Sequence, residues 1–261
     1  MVSGRIAAEV SHSILRGMAE SALAKSCLKE AERLMSKNRL FTDAELKEMG
    51  ARTLDLLLQA IDEGDKKKAK ELAERMYREF NHLHDGYMFW VTGLQTYILR
   101  NYGIDAVEKA EREAHTIEGK TVFLPPEKND LRSRVEHAVG SFRGHLQPIT
   151  IEEDDEKIVV TMKPCGSGER IIQKGGYEAG LAKVKEPHPI TWGMKNFPIY
   201  CVHCPVMEML DIEGNGDFGF VHMVHEPIPF GSCHFAFYKD PKNIPQEFYD
   251  RIGKKKPSAK K

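Results

Sequence analysis

The sequence has no long apolar run and no excess of either charge. No apolar stretch approaches the roughly 18 residues of a membrane span, and the N-terminal residues lack the apolar block of a signal peptide. The 38 basic residues nearly cancel the 39 acidic ones, so no net field attracts the chain to nucleic acid or to an anionic membrane. We therefore expect a cytoplasmic protein that binds neither nucleic acid nor a membrane.

Cysteine is also scarce, with five residues in 261. The expected compartment keeps thiols reduced, and an odd count does not pair completely. These cysteines are therefore interpreted as buried thiols, metal ligands or catalytic thiols. The sequence leaves a homo-oligomer open.

The chain is predicted to be α+β. Apolar residues recur at helical spacing through residues 1–146, which predicts an N-terminal helical bundle. Short β-branched runs separated by Gly and Pro follow, which predicts a small Cys/His-rich β or α/β domain over residues 147–252. Residues 253–261, GKKKPSAKK, are typical of a disordered basic tail.

The helical half allows more detailed predictions. A first helix spans about residues 5–36 and places Cys27 in its core face. A second helix begins at Thr42, whose capping-box pattern with Glu45 marks the start, and ends at Gly64. A third is capped by Asp65, and its aromatic later turns are predicted to lie at the centre of this half.

Two features of the second half are also predicted. The segment ITIEEDDEKIVVTM, from residue 149, has two β-branched stretches around an acidic turn and predicts a hairpin. The segment PIYCV, from residue 198, predicts a short strand.

Four cysteines of the second half are candidate metal ligands: Cys165, Cys201, Cys204 and Cys233. Cys201 and Cys204 form a Cys-x-x-Cys pair, which can place two sulfurs on one tetrahedral ion. The other two are distant in sequence, so the fold must bring them together. His234 could complete or replace a ligand. Zn²⁺ is the expected cofactor, with iron or an iron–sulfur cluster as the alternative.

Three further residues are candidates for proton transfer: His188, His203 and Glu208. Imidazole is the usual acid–base group near neutral pH, and a metal with an open position activates water. Spacing does not distinguish this arrangement from a closed structural zinc site or from buried thiols without metal.

The segment KPCGSGER also admits a metal-free interpretation. Cys165 would be a nucleophile in a turn lined by backbone N–H donors, with Arg170 holding an anionic substrate. A loose glycine turn is the simpler alternative. His82 and Asp85, on the third helix, and the aromatic Trp192 complete the predicted pocket for a small-molecule substrate.

Four stretches resemble a bacterial protein family, namely EFNHLHDGYMFWVTGLQTYI, RGHLQPITIEEDDEKIVVTMKPCGSG, EPHPITWGMKNFPIYCVHC and CHFAFYKDP. The layout, a helical segment before a small cysteine-bearing part, is similar to that of the L-2-amino-thiazoline-4-carboxylic acid hydrolase-like proteins. That resemblance implies a hydrolase acting on a small ring compound.

The leading hypothesis is a metal-dependent hydrolase or lyase acting on a small ring compound. Two alternatives remain open. One is a non-catalytic binding or accessory protein with a structural zinc site, and the other is a thiol or iron–sulfur redox protein.

Overall fold

The computed structural model describes residues 40–117, 120–121, 130–214, 220–224 and 233–256. The helix predicted over residues 5–36, with Cys27, lies outside these ranges, as do residues 257–261 of the predicted tail. The chain divides into two compact units, Met1–Ala73 and Glu74–Lys261, and the division falls inside a long helix. All candidate site residues belong to the second unit.

Helices and a small sheet make up the described chain, which confirms the α+β class. The α-helices are α1 (Asp43–Gly50), α2 (Thr53–Asp62), α3 (Lys66–Tyr102), α4 (Ile104–Ala114), α5 (Leu131–Arg143), α6 (Gly168–Gln173), α7 (His203–Gly214) and α8 (Gln246–Asp250). Short 3₁₀ helices cover Pro189–Thr191, Ile199–Val202 and Pro241–Asn243.

Side-chain caps begin several of these helices. Thr42 and Glu45 form the predicted capping box at α1, and Asp65 accepts the Lys68 N–H at the start of α3. The helix predicted from Thr42 to Gly64 is instead two helices, because the extended backbone of Ala51 and Arg52 separates α1 from α2.

The later turns of α3 pack against the core through one face only, and most of their aromatic side chains lie on the other face, contrary to the prediction. Trp90 is 63% exposed and Tyr87 is 55% exposed. The buried positions in these turns are Met88, Thr92, Gln95 and Thr96. Helix α3 therefore has an inward face rich in small and polar side chains and an outward face rich in aromatic ones.

The main sheet has four antiparallel strands in the order β3-β4-β8-β7. These are β3 (Ile149–Glu153), β4 (Lys157–Met162), β7 (Phe220–Val224) and β8 (Cys233–Tyr238). The predicted hairpin is confirmed as β3 and β4, and its turn is closed by Asp154, which accepts the N–H groups of Glu156 and Lys157.

Two short strand pairs complete the described sheets. They are β1 (Thr116–Ile117) with β2 (Lys120–Thr121), and β5 (Lys183–Val184) with β6 (Phe197–Pro198). The strand predicted over PIYCV is wrong, since Ile199–Val202 is a 3₁₀ helix that leads directly into α7.

One apolar core in the second unit draws on both sides of the boundary predicted at residue 146. Met88 of α3 and Val107 of α4 belong to the same cluster as Val160 of β4 and Val206 of α7. Among the described residues, no helix is both long enough and apolar enough to cross a lipid bilayer.

Candidate active site

The register of the sheet brings two distant cysteines together. Met162, the last residue of β4, lies opposite Cys233, the first residue of β8. Cys165 follows β4 by three residues, and its sulfur accepts a hydrogen bond from the Cys233 thiol. Cys201 lies in the 3₁₀ helix and Cys204 in the first turn of α7.

The sulfur of Cys165 is surrounded by hydrogen-bond donors. Besides the Cys233 thiol, the backbone N–H groups of Ser167, Gly168 and Glu169 donate to it. A neutral thiol is only a weak acceptor, so several donors to one sulfur stabilise the charged thiolate. These contacts lower the pKa of Cys165 to about 6, with the Cys233 hydrogen bond as the largest cause.

The other three cysteines are thiols. Burial raises the pKa of Cys201 and of Cys204, and the charge on Cys165 raises both further. The hydrogen bond donated to Cys165 raises the pKa of Cys233. Cys165 and Cys204 are partly exposed, whereas Cys201 and Cys233 are buried. These pKa shifts therefore favour the thiolate at Cys165 and the protonated thiol at Cys201, Cys204 and Cys233.

Two glycines allow the loop to pack around this sulfur. A Cβ added to Gly166 would lie 2.6 Å from Cβ of His145, and one added to Gly168 would lie 2.9 Å from the sulfur of Cys201. Real Cβ atoms do not approach this closely. The predicted loose glycine turn is therefore a closely packed segment.

His203 contacts Cys204. Its Nδ1 lies 2.6 Å from the Tyr200 carbonyl oxygen, to which it donates, so Nε2 is free to accept from the Cys204 sulfur at 3.4 Å. Burial lowers the pKa of His203, which favours this neutral form. The predicted catalytic histidine thus lies beside a thiol rather than beside the thiolate.

A second polar group lies on the α3 side of the loop. The Ser167 hydroxyl lies 3.4 Å from Nε2 of His84, and the Tyr200 phenol is hydrogen-bonded to the same hydroxyl. Burial lowers the pKa of His84, and His145 packs edge-on against its ring at 5.5 Å between centroids. Sequence reasoning missed His145, because only the fold brings it to the loop.

Arg170 is engaged by a carboxylate. Its Nε and one terminal nitrogen each donate to Asp85 at 2.8 Å, and Lys174 lies 3.0 Å from the same carboxylate. These two predicted pocket residues therefore meet, but as an ion pair that fixes α6 against α3. Substrate binding by Arg170 stays a prediction.

Glu208 and Trp192 also meet. The Glu208 carboxylate is fully buried, accepts the Trp192 indole N–H at 3.1 Å and accepts two hydrogen bonds from Arg251 at 3.0 and 2.9 Å. The Arg251 guanidinium lies over the Trp192 ring at 4.9 Å. This network joins α7 to the end of α8, and proton transfer by Glu208 stays a prediction.

The remaining predicted histidines lie in three different places. His188 lines a cleft of about 580 Å³ with residues 181–187, and its Nε2 lies 3.7 Å from Asp105. His82 is exposed on α3. His234 follows Cys233 on β8, and its Nδ1 lies 2.9 Å from the Thr161 hydroxyl.

Within the described ranges, no three or more His, Cys, Asp or Glu side chains form a group that could hold a metal ion. The four cysteines predicted as metal ligands lie in one region. Hydrogen bonds account for the lowered pKa of Cys165 in the structure. Comparisons with protein-family models, curated proteins and solved structures find no match.

Proposed function

We propose that this chain is an enzyme that uses the thiolate of Cys165 as the nucleophile in hydrolysis of a small-molecule substrate. The observation that carries the proposal is the set of donors around the sulfur of this partly exposed residue, three backbone N–H groups and one thiol. A thiolate, not a thiol, is the attacking species in cysteine chemistry. The restricted exposure of Cys165 favours a small molecule over a polymer as the substrate.

The reaction balances with water alone. The Cys165 sulfur bonds to an electrophilic carbon of the substrate, and the bond from that carbon to its leaving atom breaks. Ser167, hydrogen-bonded to Tyr200 and close to His84, passes a proton to the leaving atom. Water then attacks the carbon and returns one proton to Ser167, the carbon–sulfur bond breaks, and the thiolate is restored as the ring-opened product is released.

The resemblance in layout to thiazoline-carboxylate hydrolase-like proteins supports a small ring compound as the substrate class. The proposal also places the enzyme in the cytoplasm, where thiols stay reduced. The four described cysteines form no disulfide, as a cysteine nucleophile requires. The Cys/His-rich half, residues 147–252, supplies the reacting group.

A metal-dependent hydrolase or lyase is the second candidate, with zinc or iron as the ion. The observation that favours it is the contact of Cys165 with Cys233, together with the effect of the Cys165 charge on the pKa values of Cys201 and Cys204, although no three described side chains form a metal-binding group. Backbone N–H bonds to a thiolate also occur where sulfur binds a metal.

One experiment separates the two candidates. Purified protein is incubated with a panel of small cyclic amides and thiazolines, the products are measured by mass spectrometry, and the metal content is measured on the same sample. The first candidate predicts a covalent adduct on Cys165, loss of turnover in Cys165→Ser and no stoichiometric metal in the purified chain. About one metal per chain, lost in Cys165→Ser and in Cys204→Ser, would replace it with the second.

A further inference from the structure

Helix α3 carries a long apolar stripe that faces away from the core. Its members alternate at spacings of four and three residues, and we call them the α3 seam: Met76, Phe80, Leu83, Tyr87, Trp90, Leu94 and Tyr97. All belong to the second unit. Alternating spacings of four and three form the heptad pattern by which helices pack in coiled coils.

The seam is exposed along its length. Apart from the partly buried Phe80, its six other members are between 40% and 63% exposed. A large side chain buries about 150–250 Å² when fully covered, so covering the seam removes roughly 600 Å² per chain from water. Two copies would bury about 1,200 Å² in total, which reaches the lower end of stable protein interfaces.

Two glycines flank the seam at heptad spacing. A Cβ added at Gly86 or at Gly93 would meet nothing within 4 Å, so the chain's own packing does not require glycine at either position. Glycine in a helix interior is less favourable than alanine. Glycine at these positions would allow the backbone of a helix from another molecule to approach α3 closely on this side.

We propose that two copies of this chain associate through the α3 seam as an antiparallel pair of helices related by a two-fold axis. In the register that uses the whole seam, Tyr87 packs on Trp90 of the partner subunit and Leu83 packs on Leu94 of the partner subunit. The axis then passes between residues 88 and 89 of α3. The interface is isologous, since each contact occurs twice.

Charge and shape both favour this direction. In the same register the residues that flank the seam also pair with one another. Gly86 lies beside Gly93 of the partner subunit, and Glu79 lies beside Arg100 of the partner subunit. Within one chain Glu79 and Arg100 are 21 residues apart on one helix, about 31 Å along its axis. Within the chain Glu79 pairs with Arg75 at 2.8 Å, and Arg100 donates to the Gly180 carbonyl oxygen at 2.7 Å. An attraction between Glu79 and Arg100 therefore arises only between molecules, in addition to these contacts.

Sedimentation of the full chain tests the association. We expect wild-type protein at micromolar concentration to sediment at twice its 29.6 kDa chain mass. Leu94→Glu should weaken association at least tenfold, because each interface then buries two unpaired carboxylates. The control is Ile151→Glu on β3, since Ile151 is 50% exposed and Leu94 is 52% exposed. This control should remain dimeric.

A charge exchange tests the direction. Glu79→Arg and Arg100→Glu should each weaken the dimer, and the double variant should restore wild-type association. Failure of the double variant to exceed both single variants would overturn the antiparallel arrangement. A wild-type monomer, or a dimer unaffected by Leu94→Glu, would overturn the seam as the interface.

A quenching experiment identifies any other occupant of the seam. Trp192 is buried, so iodide quenching reports mainly on Trp90. Quenching that falls as protein concentration rises supports the dimer. A monomer in which Trp90 is already protected would mean that another segment of the chain covers the seam, and this would overturn the proposal.

Discussion

At the scale of single residues, the candidate site depends on which of four sulfurs carries charge. All four cysteines were predicted from the sequence as site residues, and one interpretation made Cys165 a nucleophile in a turn lined by backbone N–H donors. The contact between Cys165 and Cys233 was not predicted, because it depends on the pairing and register of β4 and β8. Local sequence does not determine which strands pair. The ion pair of Asp85 with Arg170 was not predicted either.

Gly168→Ala tests whether close packing holds the donors in place. The added methyl would lie 2.9 Å from the Cys201 sulfur, so the start of α6 must move and its N–H groups must leave Cys165. We expect the pKa of Cys165 to rise toward the ordinary thiol value near 8.5, and the free energy of unfolding to fall by about 1–3 kcal/mol. Thiol titration and denaturant unfolding measure the two effects.

Gly140→Ala is the matched control, since a Cβ there would meet nothing within 4 Å. Gly140 lies within α5, where alanine is the better helix former, so stability should be unchanged or higher. Equal pKa values for Cys165 in the two variants would show that Gly168 does not position the donors.

At the scale of elements, most helices and the main hairpin were predictable from caps and periodicity. The orientation of α3 was not. Its sequence carries two stripes, an aromatic one and a polar one, and hydrophobicity alone places the aromatic stripe inside. The structure buries the polar stripe, where Gln95 donates to Glu111 of α4 at 2.8 Å, and leaves Trp90 outside.

The ion pair of Glu208 with Arg251 is expected to stabilise the joint between α7 and α8. In Arg251→Leu the buried carboxylate loses its cation, which should lower the free energy of unfolding by about 3–5 kcal/mol. Combining it with Glu208→Gln, which removes the charge and keeps an acceptor for Trp192, should recover at least half of that loss. Denaturant unfolding followed by Trp192 fluorescence in a Trp90→Phe background measures both variants.

Arg132→Leu is the control for this prediction. Arg132 and Glu136 form an ion pair of similar length in α5, but their side chains are 87% and 63% exposed, so the loss should stay below about 1 kcal/mol. Equal losses in Arg132→Leu and Arg251→Leu would show that burial of Glu208 does not determine the effect.

At the scale of the whole molecule, the sequence predicted two halves that meet at residue 146, because composition changes there. The apolar core does not divide where the composition changes, because helices α3 and α4 share one core with the sheet. Helix α3 also forms part of the candidate site, through the contact of His84 with Ser167. Such long-range contacts leave no local signal in the sequence.

Chelation tests whether the second unit depends on a metal. If hydrogen bonds alone stabilise the Cys165 thiolate, prolonged treatment with a strong zinc chelator should leave the midpoint of thermal unfolding unchanged. A structural zinc site is coupled to folding, and its removal would unfold the Cys/His-rich half. Circular dichroism during heating distinguishes the two, and a known zinc-dependent domain treated in parallel shows that the chelator is effective.

The pH dependence of alkylation tests the central claim most directly. The wild-type chain is treated with iodoacetamide between pH 4 and 10, and mass spectrometry assigns the rate to each cysteine. The hydrogen bonds to Cys165 lower its pKa to about 6, so its alkylation should rise through pH 6 and level off near neutrality, while Cys204 reacts only at alkaline pH. A Cys165 rate that still climbs above pH 8, as for an ordinary thiol, would contradict the account.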